Sequence, residues 1–152
     1  MLLRLPGVVP AGRRVQELAC SIDVLPTLLD AAKVKIPASI QGRSLIPLTQ
    51  GKAAGWRQYA VSELGPDVAN QVVTITNQAG KYITFRKDGK SEYEQLFDRT
   101  MDEWETTNLI ADPAYAPLRD QLKKALAEWE AQTETRKPVA PRTAVSWLNK
   151  DR

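Results

Sequence analysis

Residues 93–109 read Tyr-Glu-Gln-Leu-Phe-Asp-Arg-Thr-Met-Asp-Glu-Trp-Glu-Thr-Thr-Asn-Leu, and the other predicted elements lie on either side of this stretch. Its first part ends in the apolar pair Leu96-Phe97, which is typical of the end of a strand. A polar turn rich in carboxylates follows, and then the segment 105–109. Because a lone strand is unstable in water, residues 93–97 need partner strands elsewhere in the chain.

Three partner strands are predicted upstream of this stretch. Residues 58–63 and 82–85 alternate polar and apolar positions, and residues 72–76 are β-branched. Residues 77–80 form a short turn between the second and third strands, and Asp88-Gly89 forms the next one. The pattern predicts a four-stranded antiparallel meander with one face that needs cover.

A helix downstream of residue 109 is predicted to supply that cover. Asp112 can cap it and Pro113 fits its first turn, although Pro117 delays the regular helix. One stripe is apolar: Tyr115, Leu118, Leu122, Ala125, Leu126 and Trp129. The opposite face is polar: Arg119, Asp120, Lys123, Lys124 and Glu128. The fold class is therefore α+β, a four-stranded antiparallel sheet covered by a C-terminal helix.

The first third of the chain predicts a strand end, a helix and an anchored loop. Residues 2–5, Leu-Leu-Arg-Leu, are typical of the end of a strand, which Pro6-Gly7 terminates. Residues 21–32 start a helix, with Ser21 or Asp23 as its cap and Pro26 in its first turn. Its apolar positions, Ile22, Leu25, Leu28, Leu29 and Ala32, predict a core-facing side. In the loop that follows, Gly42 makes a turn, and Leu45, Ile46 and Leu48 anchor it to a core.

Composition excludes several kinds of active site. The 152 residues contain no histidine and one cysteine, Cys20, with 43% hydrophobic and 26% charged residues and a net charge of +3. A Ser-His or Cys-His nucleophile pair, a His-bearing zinc site and an intrachain disulfide are thus impossible. The scattered basic pairs do not indicate nucleic-acid binding. Residues 1–6 are too short for a signal peptide or membrane span, so we expect a soluble protein.

Candidate chemical motifs fail on their spacing. Gly89-Lys90-Ser91 resembles the end of a phosphate-binding loop, but Thr84 occupies the position of the required glycine. Cys20 has the character of a small packing residue before a helix. Arg43 can bind an anionic substrate, although solvation or pairing with a carboxylate is the simpler interpretation.

The carboxylates of the 93–109 stretch do not match a calcium loop either. With Asp98 in the first position, Glu103 stands where glycine is needed and Leu109 where the bidentate glutamate belongs. Asp102 and Glu105 complete the cluster. A solvated acidic turn is the favoured interpretation, since exposed carboxylates are common in turns.

Three motifs, in order along the chain, resemble sulfatases. Residues 23–30, Asp-Val-Leu-Pro-Thr-Leu-Leu-Asp, look like the helix that follows the catalytic sheet in that family. Residues 42–48 are similar to its Gly-x-Ser-Leu-x-Pro-Leu loop. Residues 96–109 resemble the passage in which Leu-Tyr-Asp-Leu runs into Asp-Pro-x-Glu-x-x-Asn-Leu. Phe97, Arg99 and Glu103 replace the Tyr, the second Leu and the Pro.

The resemblance implies the C-terminal portion of a sulfatase in the alkaline-phosphatase-like α/β superfamily. Residues 1–55 would be the end of the catalytic domain, with a strand remnant, a helix and a loop. Residues 56–132 would be the sheet-and-helix subdomain, and residues 133–152 an irregular tail. Family members use formylglycine and calcium, and the formylglycine comes from Cys/Ser-x-Pro-Ser-Arg. Cys20 lacks that context, so no catalytic, cofactor or metal residue is assigned to this chain.

By the same resemblance, the chain would be structural, would help to shape the substrate cleft, and would be inactive without the missing N-terminal catalytic domain. A sulfate ester would bind only to the full-length parent, and no nucleic-acid or membrane partner is expected. Two alternatives remain open at the level of the sequence. One is a stand-alone binding module for anionic polymers or a protein partner. The other is a parent that hydrolyses phosphonates or phosphodiesters.

Overall fold

The computed structural model describes residues 1–133, which fall into two compact units. The first unit is Met1–Ala60, and the second begins at Val61. Beyond its first residue, the predicted irregular tail at 133–152 lies outside the described residues. Within the described range, no helix is long and apolar enough to cross a membrane.

The second unit contains the predicted antiparallel meander. Its strands are paired in chain order: β1 (Ala60–Asp67), β2 (Asn70–Thr76), β3 (Gly80–Lys87) and β4 (Lys90–Asp98). Two residues separate the strands in the first and third turns, and three in the second. Asp67 closes the first hairpin by accepting the backbone N–H groups of Ala69 and Asn70. β1 runs beyond the predicted end at residue 63 and includes Pro66, which an edge strand tolerates because one row of its amides is unpaired.

One face of this sheet carries the core of the unit. Val73 pairs with Thr84 and Ile75 with Tyr82, while Tyr82 also pairs with Leu96 on its other side. All five side chains are buried. Because side chains alternate across a strand, these pairs point to the same face, and that face is the one the helix covers.

The covering helix begins as predicted. Asp112 accepts the backbone N–H of Ala114 at 2.9 Å, a 3-10 turn spans Pro113–Tyr115, and α3 follows at Ala116–Thr133. Leu122 and Leu126 are buried where α3 packs on β3 and β2. Gly80 allows this close approach, since a Cβ there would lie 2.8 Å from a methyl group of Leu118.

The prediction that Lys123 faces away from the sheet is wrong. Its ammonium group donates to both carboxylate oxygens of Glu94 on β4, at 2.8 and 2.9 Å, and lies 5.4 Å from the centre of the Tyr82 ring. A lysine on the edge of a polar stripe is long enough to reach back, so its charge ties the helix to the sheet.

The first unit differs from its prediction in two places. No strand forms at residues 2–5, where Leu2 is 95% exposed, because strand hydrogen bonds need a neighbour. The helix forms as Ser21–Asp23 in 3-10 geometry followed by α1 (Val24–Ala31). Its predicted core side is turned outward, with Ile22, Leu25 and Leu28 each more than half exposed.

The predicted loop anchors are confirmed. Leu45, Ile46 and Leu48 are buried, and the last two belong to the single turn α2 (Ile46–Thr49). Pro47 fits this turn because its missing N–H would have no helical partner there.

We predict that Leu122→Ala lowers the free energy of unfolding by about 2–5 kcal/mol, because it leaves a cavity under α3. Lys124→Ala is the matched control, since that side chain is 79% exposed and its contact with Glu128 spans 3.9 Å. Its effect should stay within about 0.5 kcal/mol. Chemical denaturation measures both. Equal losses would show that the buried stripe of α3 has been misplaced.

Candidate functional site

The carboxylate of Asp23 is the centre of the first unit. It is completely buried and forms a two-pronged ion pair with the Arg57 guanidinium, whose Nη2 lies 2.6 Å from Oδ1. The backbone N–H groups of Cys20 and Arg43 also donate to it, at 2.8 and 2.9 Å. A buried charge needs this many partners to offset its lost hydration.

The pairing shifts the pKa values of both partners. Burial alone would raise the pKa of Asp23, but the hydrogen bonds from Arg57 and from the Arg43 and Cys20 amides outweigh it and lower that pKa. The hydrogen bond to Asp23 raises the pKa of Arg57. Burial raises the pKa of the Cys20 thiol, which disfavours the reactive thiolate.

Two more polar side chains of the helix bind the following loop. Thr27 donates its hydroxyl to the carbonyl of Asp23 at 2.6 Å and accepts the N–H of Leu45 at 3.0 Å. One turn later, Asp30 accepts the Ser44 hydroxyl at 2.5 Å. Positions 23, 27 and 30 lie on one stripe of the helix, so three consecutive loop residues are each bound to it.

Gly42 brings the loop close enough for these bonds. A Cβ at this position would lie 2.0 Å from the carbonyl oxygen of Ile22, so only glycine fits. This contact gives a physical reason for the glycine in the Gly-x-Ser-Leu motif.

Trp56 fixes the other side of the ion pair. Its indole N–H donates to the Leu18 carbonyl at 2.8 Å, and the guanidinium groups of Arg57 and Arg43 lie 4.8 and 5.9 Å from its ring. Arg43 also donates to the Gly55 carbonyl at 2.7 Å. Together, residues 18–57 form a network whose chemistry is that of a structural tie, since the Asp23 oxygens are occupied by donors.

The sequence signalled only part of this network. The sequence predicts Asp23 only as a possible helix cap, and no motif or periodic pattern in the sequence singles out Trp56 or Arg57. The bond that organises the unit joins residues 34 positions apart, and no local pattern reports it.

In the acidic turn after β4, two carboxylates accept hydrogen bonds from backbone N–H groups of the same turn. Asp98 accepts the hydroxyl and N–H of Thr100, which lowers the pKa of Asp98. Asp102 accepts the N–H of Thr107, with the same effect on its pKa. Glu105 pairs with Lys81 at 2.5 Å, and Glu103 is exposed. Among residues 1–133, no three metal-ligating side chains converge.

Asn108 explains the Asn-Leu end of the same stretch. Its side-chain oxygen accepts the Leu96 N–H at 3.0 Å, and the Leu109 N–H donates to the Leu96 carbonyl at 2.8 Å. These bonds cover the free edge of β4, which would otherwise offer unpaired groups to another chain.

The remaining sequence motif, Gly89-Lys90-Ser91, is a hairpin element. Asp88 and Gly89 both have positive φ in the β3–β4 turn. Ser91 shares a 2.9 Å hydrogen bond with Thr84 and donates to Glu94. Burial and the hydrogen bond to Glu94 raise the pKa of Tyr82 in the same cluster.

Comparison with known proteins agrees with both units. Residues 1–132 match the family model for the domain described as N-sulphoglucosamine sulphohydrolase, C-terminal. The chain is 37% identical over 117 residues to an arylsulfatase of Clostridium perfringens, over 76% of this chain and 23% of the relative.

Solved structures give the same result. A protein in complex with its substrate D-glucosamine-2-N,6-O-disulfate aligns at a TM-score of 0.64 and 30% identity, over 76% of this chain and 24% of that one. A phosphonate monoester hydrolase of Agrobacterium radiobacter aligns at a TM-score of 0.57 and 28% identity, over 72% of this chain and 24% of that one.

The sheet-and-helix unit and the helix-loop network together define a C-terminal domain of the sulfatase class, in the alkaline-phosphatase-like superfamily, as predicted. The chain belongs to the N-sulphoglucosamine sulphohydrolase C-terminal family. It spans about a quarter of the length of the relatives it matches.

The lowered pKa of Asp23 gives a testable pH dependence. Because the pKa is lower in the folded state, the stabilisation is complete above the unfolded value of about 3.9 and is lost as the pH falls through the folded value. At pH 7, Asp23→Asn should cost about 3 kcal/mol, because Arg57 loses its buried partner. Below about pH 4, the difference in the free energy of unfolding between the variant and the wild type should become smaller.

Thermal melts from pH 7 to 3, with hydrogen exchange of the Arg43 amide, measure this. Asp120→Asn is the control, because the Asp120 side chain is exposed and, among residues 1–133, forms its ion pair with the neighbouring Arg119. If the difference in melting temperature between Asp23→Asn and the wild type does not change with pH, the lowered pKa of Asp23 is contradicted.

Proposed function

We propose that this chain is the C-terminal domain of a sulfatase-type sulfuric ester hydrolase, in which it supports the catalytic domain, helps shape the substrate cleft and is inactive alone. The observation that carries the proposal is the orientation of α1. Its polar stripe binds the loop of its own unit, while its apolar side is exposed.

The exposed side of α1 has the character of an interface. Ile22, Leu25 and Leu28 are 52%, 54% and 60% exposed, and Val24 is 43% exposed. A globular helix normally buries its apolar side, so a contiguous outward-facing apolar stripe indicates a surface for another protein element.

A cavity in the same unit supports this reading. It has a volume of about 1030 Å³, and the segment Met1–Glu17 supplies most of its lining together with Leu45 and Leu48. Both features suit a partner with an apolar packing surface. We infer that this partner is the catalytic α/β domain, which is supported by the chain's span of about a quarter of the relatives' length.

The chain's own residues do not fit the cofactors of the family. Cys20 is followed by Ser-Ile-Asp-Val, which is not the context that is converted to formylglycine. Asp98 and Asp102 direct their oxygens to the amides of their own turn, so they are poor calcium ligands. In this proposal, the formylglycine and calcium belong to the catalytic domain.

A phosphonate or phosphodiester hydrolase is the second candidate for the parent. The structural match to a phosphonate monoester hydrolase favours it, because this domain type accompanies both chemistries. The nucleophile would distinguish them, and it would lie in the catalytic domain.

We predict that the purified 152-residue chain hydrolyses neither 4-nitrophenyl sulfate nor an aryl phosphonate above background, with or without calcium. The coding sequence upstream of Met1 should contain Cys/Ser-x-Pro-Ser-Arg.

The chain should also bind a hydrophobic-surface dye, and the double variant Leu25→Asp with Leu28→Asp should lower the dye fluorescence far more than Leu64→Asp. Leu64 is 77% exposed but lies outside the first unit, which makes it the matched control.

Two results would overturn the proposal. One is turnover that co-purifies with the chain and survives Cys20→Ala. The other is an upstream sequence without the nucleophile motif.

A further inference from the structure

The turn after β4 exposes two large apolar side chains. Met101 and Trp104, three positions apart, are each 82% exposed. A single exposed apolar residue needs no explanation, but two on one turn indicate a surface for a partner. Tryptophan is also enriched among the residues that carry the binding energy of interfaces. We call residues 101–104 the tip.

The backbone of the tip is fixed by its own turn. The Asp102 N–H donates to the Asp98 carbonyl at 3.0 Å, and the Glu105 N–H donates to the Asp102 carbonyl at 3.2 Å. Glu105 has a φ of 54°, which is uncommon for a residue other than glycine, and its carboxylate pairs with Lys81 on β3 at 2.5 Å. A turn held in this way loses little conformational entropy when a partner binds to it.

The charge around the tip selects the kind of partner. Residues 98–105 contain four carboxylates against one arginine, a net charge of −3. Residues 61–133 together contain thirteen Asp and Glu against eight Lys and Arg, a net charge of −5. A partner that is basic and carries an apolar anchor is therefore complementary to the tip.

Residues 134–152, which lie outside the described range, have both properties in their sequence. They contain five Lys and Arg against two Asp and Glu, a net charge of +3, and their large apolar residues are concentrated at Val145, Trp147 and Leu148. The match to the family model ends at residue 132, so this segment is not part of the family domain. We call residues 134–152 the tail.

The direction of α3 determines how far the tail must reach. At one end of α3, Leu118 packs against Gly80, and at the other end Glu130 pairs with Arg86 at 2.6 Å, so α3 runs alongside β3 in the same direction. Because Gly80 pairs with Asp98, the turn that bears the tip lies where α3 begins, and the tail starts at the opposite end.

The tail is long enough to return over this distance. The 18 residues of α3 span about 27 Å at the rise of an α-helix. From Thr133 to Val145, an extended chain covers up to about 40 Å. Pro138 and Pro141 favour an extended chain between these two points, since proline disfavours a helical conformation of the residue before it.

We propose that the tail folds back along the sheet-and-helix unit and docks on the tip, with Val145, Trp147 and Leu148 against Met101 and Trp104. The hairpin end of the sheet, which is closer to the end of α3, is less suitable for a basic tail. Its two lysines offset most of the carboxylates there: Lys87 and Lys90 against Asp67, Asp88 and Glu92. The proposal does not depend on the proposed function, because it concerns two segments of this chain.

Disulfide trapping in the 152-residue chain tests the docking. Cys20→Ala removes the native thiol and keeps the backbone N–H that Asp23 accepts. Glu103→Cys then places a thiol on the tip, and Ser146→Cys places one between the apolar residues of the tail. Under mild oxidation, this pair should form an intramolecular disulfide, because docking raises the effective concentration of its thiols.

The matched control combines Ser146→Cys with Glu92→Cys in the same background. Glu92 is also an exposed glutamate, at the other end of β4, and its neighbour Ser91 pairs with Arg86, which contacts the last turns of α3. A tail without a preferred site would react with this nearer position at least as fast. Docking on the tip predicts that the Glu103 pair closes at least about tenfold faster.

Variants of the tail separate its apolar anchor from its charge. In the Glu103 pair, Trp147→Ala should lower the closure rate towards that of the Glu92 pair, because it removes the largest apolar contact. Asn149→Ala is the control and should stay within about twofold. Salt at about 1 M should slow closure by a smaller factor than Trp147→Ala, since it screens the attraction between tail and turn.

Equal rates for the two pairs, or a faster Glu92 pair, would overturn the inference, as would the absence of an intramolecular disulfide in both. Disulfide-linked dimers as the main product would also overturn it, because the partner of the tip would then be a second copy of the chain. A closure rate that Trp147→Ala leaves unchanged would show that the apolar residues of the tail do not bind the tip, which contradicts the proposal.

Discussion

A carboxylate that is removed from water has to be paired, and in the first unit that constraint falls on Asp23. Its partners come from three places in the chain: the residue before the helix, the Gly42–Leu45 loop and Arg57. Removing one side of such a pair leaves an uncompensated buried charge, which costs about 3–5 kcal/mol. With little regular structure in residues 1–60, this network rather than a large apolar core defines how the segments are held together.

The same constraint determines which side of α1 faces outward. Asp23, Thr27 and Asp30 must face the loop whose N–H and hydroxyl groups they accept. The apolar residues on the other side of the helix are therefore directed to the surface, where they suit a partner domain. The residues of the sulfatase-like motifs are thus explained by hydrogen bonds and close contacts, and the proposed docking surface follows from them.

Local patterns predicted the second unit well, because its structure is local. Strand alternation around Val73 and Ile75 and the Asp112-Pro113 helix start involve neighbours in sequence, as do the hairpin turns. The failures involve distant partners: Asp23 with Arg57, and Lys123 with Glu94. An apolar stripe indicates that a helix packs on something, but not whether that surface belongs to the same unit. The predicted strand at residues 2–5 is absent for the same reason, since a strand needs a neighbouring strand to complete its hydrogen bonds.

A double-mutant cycle on Asp23 and Arg57 tests the central claim most directly. Asp23→Ala and Arg57→Ala are made singly and together, and the free energy of unfolding of the first unit is measured at pH 7, with hydrogen exchange of the Arg43 amide as the local probe. If the ion pair holds the unit together, each single variant loses about 3 kcal/mol or more and the double variant loses much less than the sum, a coupling of at least about 1.5 kcal/mol. Losses that add to within about 0.5 kcal/mol would contradict the account.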